Sequence, residues 1–193
     1  MTVVGLIRHG STYWNKEGRA QGHTDNSLDE EGFEQARRLA ERLAGEAEWR
    51  RIYSSDLLRA RQTAEIIQER LGIGPVIIDE RLREMYGGQI EGTTEKERQQ
   101  RWGAGWKELD LGLETPDAGM LRGSEAVQDI ASRHPGEGIL IVSHGALIHH
   151  LLRRLVPQQQ SEMKLGNTSL TILNMEDDLW ECALYNCITH LKS

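Results

Sequence analysis

The sequence predicts an α/β protein, a three-layer α/β/α sandwich with a mostly parallel central sheet. Short apolar runs alternate along the chain with longer segments whose apolar residues recur at helical spacing. Two of these runs, residues 3–7 and 139–142, lead into His9 and His144, and glycine follows each histidine. Because open α/β folds bind ligands at the carboxyl ends of their parallel strands, we expect the two imidazoles to face one pocket.

Length and composition indicate the class of protein. The 193 residues, 38% of them hydrophobic and 27% charged, are typical of one globular domain over residues 1–193. No apolar run is long enough to span a bilayer, and the first residues do not form a secretory signal, so we expect a cytoplasmic protein. Cys182 and Cys187 lack a second pair of cysteines, so neither a disulfide framework nor a cysteine zinc site is expected. Nothing in the sequence specifies an oligomeric state.

The net charge limits the possible partners. A charge of −7 argues against a nucleic-acid partner, which would favour a basic stripe. An anionic small substrate would be repelled by the overall field, so its pocket has to be locally cationic. Arginines within motifs therefore matter more than the total charge.

The first predicted helix has apolar residues on one face. Asp29 is its expected N-cap, and Gly45 lies near its end. Its apolar positions are Phe33, Ala36, Leu39, Ala40 and Leu43.

A short strand at residues 52–53 is predicted to lead into a second helix. Ser54 or Ser55 caps this helix and Gly72 ends it. Residues 76–78 then form another strand.

Two helices are predicted between residues 94 and 135. Thr94 and Glu97 fit a capping box for a polar helix. Residues 115–117 read Thr-Pro-Asp, which is typical of a helix start, and Pro135 ends that helix. Two glycines weaken its helix propensity: Gly119 and Gly123.

The last third of the chain predicts one helix and three strands. A buried strand ends at Ser143, and a strongly apolar helix follows it until Pro157. Residues 170–173 and 180–184 form two strands around a turn at residues 176–178.

The first group of candidate catalytic residues follows the first strand. A neutral imidazole such as that of His9 can attack phosphorus directly and form a phospho-histidine. Phosphoryl transfer spreads charge over the equatorial oxygens, so the nucleophile needs cationic and hydrogen-bonding groups around it. Arg8, Thr12 and Asn15 are suitable types.

A second group starts the helix after residue 55. A helix N-terminus is itself an anion site, and Arg59, about one turn into the helix, could reach the same phosphate. Arg61 points to another side of that helix and is expected to be a solvated surface charge.

The third candidate is Glu84, in a glycine-punctuated loop at residues 81–92. Expelling an alcohol from a phosphate ester requires a proton for the leaving oxygen. A carboxylic acid can supply that proton and later take one from the incoming water.

Four ordered blocks of residues resemble the histidine phosphatase superfamily, the phosphoglycerate-mutase-like enzymes. The resemblance extends from Val3 to the tail at residues 186–191. The blocks are Arg8-His9-Gly10 with Thr12 and Asn15; Ser54 with Arg59 and Gln62-Thr63-Ala64; Leu82-Arg83-Glu84 with Glu91-Gly92; and Ser143-His144-Gly145.

The resemblance implies a role for each matching residue. It makes His9 the phosphorylated nucleophile, Glu84 the proton donor, and Arg8, Arg59 and His144 phosphate-binding residues. It implies no cofactor and no metal. Further substrate-binding positions that it implies are Thr12, Asn15, Gln21, Gly22 and the amide of Gly145.

The chain departs from the family pattern at several positions. Ser11 replaces the usual Glu or Gln, His23 replaces a common aromatic residue, and Ser27 replaces a usual proline. The shorter Ser11 could alter the support of the nucleophile, and His23 could tune specificity.

The expected activity is metal-independent hydrolysis of small phosphomonoesters through a phospho-histidine at His9. A cofactor-dependent phosphoglycerate mutase shares all four blocks, but mutases of this family typically carry a longer chain with insertions. A metal-dependent hydrolase using His9, His144 and an acid is a weaker alternative, because the cation of Arg8 disfavours metal binding beside it. A non-catalytic phosphate-binding module is the remaining alternative. His149 and His150 are neighbours that cannot share one helix face, so we assign them to the surface or core.

Overall fold

The computed structural model describes residues 1–46, 48–159 and 164–192. Its six strands are β1 (Thr2–Arg8), β2 (Trp49–Ser54), β3 (Ile77–Ile78), β4 (Gly138–Ser143), β5 (Leu170–Glu176) and β6 (Leu179–Cys187). They form one sheet in the order β3-β2-β4-β1-β5-β6. The first four of these are mutually parallel, while β5 and β6 are antiparallel to their neighbours. The predicted mostly parallel sheet is therefore confirmed.

Helices cover both faces of the sheet. Alternate residues of β4 show this arrangement: Ile139 and Ile141 pack with the helices at residues 116–133 and 145–155, whereas Leu140 and Val142 pack with those at residues 30–46 and 58–71. The predicted three-layer sandwich is thereby confirmed. The helices are α1 (Tyr13–Glu17), α2 (Glu30–Glu46), α3 (Leu58–Leu71), α4 (Glu95–Trp102), α5 (Pro116–Arg133) and α6 (Gly145–Leu155). Single 3₁₀ turns occur at Glu80–Leu82, Gly88–Ile90, Trp106–Glu108 and Thr189–Leu191.

Several predicted helix ends are confirmed, and one N-cap is wrong. Thr94 forms its capping box with Glu97, and Gly72 ends α3 in the left-handed conformation at φ 62°. The N-cap of α3 is Leu57, not Ser54 or Ser55. The Ser55 hydroxyl instead accepts a hydrogen bond from Leu57 N at 3.2 Å, so it stabilises the turn that leads into the helix.

The final hairpin turns later than the sequence predicts. Glu176 belongs to β5, and the turn consists of Asp177 and Asp178, with φ of 50° and 62°. Consecutive positive φ values match the right-handed twist of the strands that a two-residue hairpin joins. The short α1 and the four 3₁₀ turns were not predicted.

The glycines of α5 allow close packing. A β-carbon on Gly119 would overlap the sulfur of Met85, and one on Gly123 would lie 2.9 Å from a methyl group of Leu147. These glycines cost helix propensity, but they let α5 approach the loop of Met85 and the neighbouring α6.

Among the residues with described positions, no helix has the length and apolar character needed to cross a membrane. Cys182 and Cys187 are both free and half-buried.

Candidate active site

The two predicted histidines leave neighbouring strands at the same edge of the sheet. In the parallel pair of β1 and β4, Arg8 lies opposite Ser143, and the next residue on each strand is His9 or His144. The two ring centroids are 5.2 Å apart, with the ring planes at 55°. Strand register therefore brings the imidazoles together.

His9 has the tautomer that a nucleophile requires. Its Nδ1 lies 2.7 Å from the carbonyl oxygen of Gly10. Since a carbonyl can only accept, Nδ1 carries the proton and Nε2 keeps its lone pair. Burial, followed by the charges of Arg59 and Arg8, lowers the pKa of His9 well below 6.5. The ring is therefore neutral at physiological pH, the form that attacks phosphorus.

Close backbone contacts fix the loop that carries His9 against α2. A β-carbon on Gly10 would lie 2.6 Å from the carbonyl oxygen of Gly32, and one on Gly32 would overlap the backbone of Ser11. The Ser11 hydroxyl donates to the carboxylate of Asp29 at 3.0 Å, and Asp29 also accepts from Gly32 N at 2.8 Å. Ser11 thus connects the loop that carries His9 to the start of α2, where Asp29 acts as the predicted cap.

Arg59 is a fully buried cation beside the histidines. It is the second residue of α3, nearer to the helix start than predicted. Its guanidinium donates to the carbonyl oxygens of Gly22 at 2.7 Å and Thr24 at 2.8 Å. Burial lowers its pKa to about 10, so Arg59 remains cationic at neutral pH. Arg61, by contrast, is exposed and lies 3.9 Å from Glu65, as expected of a surface charge.

Arg8, which directly precedes His9, is also buried. Its Nη1 donates to the carbonyl oxygen of Leu165 at 2.6 Å. A β-carbon on Gly145 would lie 3.2 Å from Arg8 Nε, so glycine lets this guanidinium pack against the first turn of α6. Burial lowers the pKa of Arg8 and Glu84 opposes this effect.

Four buried nitrogen atoms in this cluster have no hydrogen-bond partner within the described part of the chain. They are Arg8 Nε, Arg59 Nε, His144 Nδ1 and His144 Nε2. Burial comes first among the causes that lower the pKa of His144, followed by Arg59 and His9. Because buried polar groups are normally paired, unpartnered donors beside two cations indicate a site for a multiply charged anion.

The Glu84 carboxylate lies at the N-terminus of α6. Its Oε1 accepts from Leu147 N and Met85 N, both at 2.9 Å, and its Oε2 lies 3.3 Å from Ala146 N. The next amide toward the histidine, that of Gly145, has no partner within the described ranges. The same helix end can thus hold the acid and offer one amide to a ligand.

Thr12 serves mainly to orient its neighbours. It caps α1, accepting from Asn15 N, and its hydroxyl lies 3.1 Å from Gln21 Oε1. Asn15 Oδ1 accepts from Thr12 N at 3.1 Å and from Asn167 Nδ2 at 3.2 Å. Since the oxygen of Asn15 is engaged, its Nδ2 is the atom that can donate to a ligand.

Two cavities meet at Glu84, Ala146 and His150. One, of about 360 Å³, also contains Arg8, Gly145, His149 and Lys164. The other, of about 580 Å³, is mostly apolar and extends from Gln21 and Gly22 to the segment after α4. His149 and His150, assigned from sequence to the surface or core, lie at these cavities. The apolar residues of the larger cavity include Met85, Tyr86, Ile90, Trp106, Leu109, Leu111 and Leu113.

The loop before β5 forms hydrogen bonds to the backbone of Arg8 and His9 and was not predicted as part of the site. Asn167 Nδ2 donates to the carbonyl oxygen of His9 at 3.0 Å. Thr168 N donates to the carbonyl oxygen of Arg8 at 3.0 Å, with Thr168 at a φ of 52°. The Gly166-Asn167-Thr168 triplet, which is rich in turn formers and directly precedes a predicted strand, is the sequence signal that could have found it.

Glu91 also contributes, although the sequence assigns it no role. Its carboxylate accepts from His23 N, Thr24 N and Gly87 N at 2.9 to 3.0 Å. Burial alone would raise the pKa of Glu91, but a hydrogen bond from the Thr24 hydroxyl at 2.6 Å and these backbone hydrogen bonds together lower it. Glu91 thereby fixes the loop whose carbonyl groups hold Arg59.

Comparisons with known proteins agree with this geometry. The model of the histidine phosphatase superfamily (branch 1) matches residues 4–188. The chain is 36% identical to phosphoglycerate mutase-like protein 4 of Arabidopsis thaliana, over 98% of this chain and 86% of the relative. It is 33% identical to a metal-independent phosphoserine phosphatase of the same plant, over 100% of this chain and 84% of the relative.

A solved structure has a fold similar to that of this chain. Phosphoserine phosphatase from Entamoeba histolytica, a mutant solved in complex with phosphoserine, superimposes with a TM-score of 0.82 and 29% identity. The match covers 99% of this chain and 100% of that one. The predicted phosphoglycerate-mutase-like fold is therefore confirmed, and a structural relative binds a small phosphorylated molecule.

Proposed function

Because the chain belongs to the histidine phosphatase superfamily, we propose that its activity, hydrolysis of small phosphomonoesters, is carried out by His9, Glu84, Arg8, Arg59 and His144. The chain is a phosphatase of this superfamily, related to metal-independent enzymes. The observation that carries the proposed residue roles is the set of unpartnered buried nitrogens of Arg8, Arg59 and His144 beside His9.

The substrate phosphate would dock against these buried donors. Two buried guanidinium groups balance its charge, and His144 adds a donor when its ring carries a proton on the facing nitrogen. The Gly145 amide and Asn15 Nδ2 are further donors of suitable position and chemistry. Gln21 and Gly22 border the larger cavity, where the rest of the substrate would lie. This local cationic pocket overcomes the repulsion by the net charge of −7.

The reaction would proceed by two displacements. His9 Nε2 attacks phosphorus as the phosphorus–oxygen ester bond breaks, and protonated Glu84 gives its proton to the departing alkoxide oxygen. The Glu84 carboxylate then takes a proton from water, whose oxygen attacks phosphorus and breaks the phosphorus–nitrogen bond. Inorganic phosphate leaves, and both His9 and Glu84 return to their starting forms.

The substrate is proposed to be a small phosphorylated metabolite. Phosphoserine is the first compound to assay, because a plant relative is named a phosphoserine phosphatase and a structural relative was solved with phosphoserine. Two free cysteines are compatible with a reducing compartment, so a cytoplasmic location is part of this proposal. We also treat residues 1–193 as one domain.

A trapped intermediate tests the residue roles. Wild-type protein and His9→Ala are mixed with a ³²P-labelled phosphomonoester and quenched in base, which preserves phospho-histidine. Labelling of the wild type, with none in His9→Ala, is the expected result. His134→Gln is a matched control, because His134 hydrogen-bonds Tyr53 at 2.7 Å, away from the cluster around His9. Full activity of His9→Ala would refute the assignment of the nucleophile.

Phosphoglycerate mutase is the second candidate, since a relative is named mutase-like. The two activities separate when phosphate release from 3-phosphoglycerate is measured beside its isomerisation, with and without 2,3-bisphosphoglycerate. We expect phosphate release to dominate. A chelator is added in parallel and should leave the rate unchanged, because two guanidinium groups already balance the phosphate charge. Loss of activity that added metal restores would favour the metal-dependent alternative.

A further inference from the structure

Arg122 forms hydrogen bonds to the backbone of the loop that carries Glu84 and to the carboxylate of Glu114. It lies on α5, and its Nη1 donates to the carbonyl oxygens of Arg81 at 2.7 Å and Arg83 at 2.9 Å. Its Nε and Nη2 donate to the carboxylate of Glu114 at 2.9 and 2.8 Å. A longer contact of 3.4 Å joins Nη2 to the carbonyl oxygen of Glu84. All five N–H donors of the guanidinium therefore have an acceptor.

Glu114, which accepts from Arg122, also forms hydrogen bonds to the backbone of Tyr86, two residues after Glu84. Its Oε2 accepts from Tyr86 N at 3.1 Å, and its own amide donates to the carbonyl oxygen of Tyr86 at 2.9 Å. Burial alone would raise the pKa of Glu114, but the hydrogen bonds from Arg122 and Tyr86 lower it. Arg122 and Glu114 are mostly buried, with side chains 24% and 16% exposed, so water competes weakly for their contacts.

Arg122 acts on the backbone and not on the reacting carboxylate. The hydrogen bonds of that carboxylate come from Met85 N and from the second and third amides of α6, those of Ala146 and Leu147. The position of Glu84 therefore depends on a loop that carries no sheet hydrogen bonds and includes Gly87 and Gly88. A single planar fork that binds the carbonyl groups of residues 81, 83 and 84 can hold such a loop in one conformation.

We propose that Arg122, oriented by Glu114, is a positioning residue that holds the Glu84 carboxyl within reach of the leaving oxygen. The inference rests on the proposed role of Glu84 as general acid. Misplacement of a catalytic group by about 1 Å can cost about 100-fold in rate. Loss of Arg122 should thus impair proton donation and spare phosphate binding.

The test compares two substrates that differ in their need for a proton. Dinitrophenyl phosphate has a leaving group that departs without protonation, whereas phenethyl phosphate releases an alkoxide that requires it. Because kcat/KM reports only the steps up to leaving-group departure, it isolates the role of Glu84 as acid from its later role as base. We expect Arg122→Met to lower kcat/KM for phenethyl phosphate roughly 10- to 100-fold and for dinitrophenyl phosphate less than about 3-fold.

A double variant shows whether Arg122 acts through Glu84. Glu84→Gln removes the acid and should show the same dependence on leaving group. If Arg122 works only by positioning Glu84, adding Arg122→Met to Glu84→Gln should lower kcat/KM for phenethyl phosphate no further. An additive effect, or equal loss with both substrates in the single variant, would overturn the proposal.

A matched control is Arg61→Met, which removes an exposed arginine from α3. It should stay within about 2-fold of wild type with both substrates. If this control also lost more activity with phenethyl phosphate than with dinitrophenyl phosphate, the effect would come from the loss of any positive charge. That result would refute the proposal. If Arg122→Met does not fold, Arg122→Lys, which keeps the charge and loses the fork, should show an intermediate loss with phenethyl phosphate. Wild-type behaviour of Arg122→Lys would contradict positioning by the fork.

The same measurements distinguish failure of the proposed function from failure of the inference on Arg122. If wild type hydrolyses neither substrate, or Glu84→Gln affects both alike, the role of Glu84 as acid is wrong and the inference on Arg122 falls with it. If Glu84→Gln shows the dependence and Arg122→Met does not, only the inference on Arg122 fails.

Discussion

His23 Nε2 lies 2.8 Å from the main-chain carbonyl oxygen of Glu84, and its ring meets that of Tyr86 nearly edge to face at a centroid distance of 5.2 Å. Since a carbonyl oxygen accepts, this ring nitrogen donates to the backbone of the proposed acid. The resemblance implies an aromatic residue at this position, and the contact connects His23 to the loop that carries Glu84.

We expect His23→Phe, which keeps an aromatic ring and loses the donor, to lower kcat/KM for an alkyl phosphate by about 2- to 10-fold. This range corresponds to a net hydrogen-bond contribution of about 0.5–1.5 kcal/mol. His23→Gln can donate to the same carbonyl and should retain more activity. Equal rates for wild type and His23→Phe would show that the contact has no role in catalysis.

Replacement of Arg59 by Met should weaken the handling of phosphate. A buried cation beside two histidines is lost, and the carbonyl groups of Gly22 and Thr24 lose their donor. We expect kcat/KM to fall about 100- to 1,000-fold, corresponding to about 3–4 kcal/mol, and competitive inhibition by inorganic phosphate to weaken in parallel. Arg61→Met serves as the exposed control. Unchanged inhibition by phosphate in Arg59→Met would remove Arg59 from the binding site.

Stability should fall as the pH drops below about 6.5, the ordinary pKa of histidine. Burial and the arginine charges lower the pKa of His9 and His144 in the folded protein. Between that low value and 6.5 the unfolded chain binds protons that the folded chain does not, so acidification favours unfolding. Each histidine contributes a slope of up to about 1.4 kcal/mol per pH unit.

Urea unfolding at several pH values measures this slope. His144→Gln should reduce the slope below pH 6.5 and leave it unchanged between pH 7 and 8, where both forms of the chain carry neutral histidine. An identical slope for wild type and His144→Gln in acid would contradict the neutral, buried state of His144.

Two glycine-to-alanine substitutions in α2 should distinguish the cost of a steric clash from the gain in helix propensity. In Gly32→Ala the new methyl group meets the backbone of Ser11, which cannot move without displacing the His9 loop. We expect a loss of about 2–4 kcal/mol in the free energy of unfolding. Gly45, on the same helix, has nothing within 4 Å of its would-be β-carbon. Gly45→Ala should therefore stabilise the protein by about 0.5–1 kcal/mol. Equal changes in the free energy of unfolding for Gly32→Ala and Gly45→Ala would show that the close contact at Gly32 does not determine stability.

Candidate site residues that follow a local sequence pattern were the easiest to predict. An apolar run followed by His-Gly marks His9 and His144, and a helix start marks Arg59, so these residues could be found without the structure. Asn167 contacts the carbonyl oxygen of His9 across 158 positions of the chain, and no local pattern encodes such a contact.

Residues that act on the backbone were harder to predict. Arg122 binds carbonyl groups, which every residue possesses, so its partners leave no signature in the sequence. The five-residue α1 is too short to show an apolar face, and its capping residues Thr12 and Asn15 were instead interpreted as ligand donors. In the structure the Thr12 hydroxyl accepts from Asn15 N and lies 3.1 Å from Gln21 Oε1, within its own loop.

The antiparallel direction of β5 determines which part of the chain contacts Arg8 and the backbone of His9. Because β5 runs opposite to β1, its beginning, not its end, lies at the catalytic edge, and the segment before it supplies Leu165, Asn167 and Thr168 to Arg8 and His9. This segment could therefore vary in a directed-evolution library and change turnover while every group that touches phosphate stays the same. The strand direction thus separates the residues that we propose to perform the chemistry from a segment that we expect to adjust its rate.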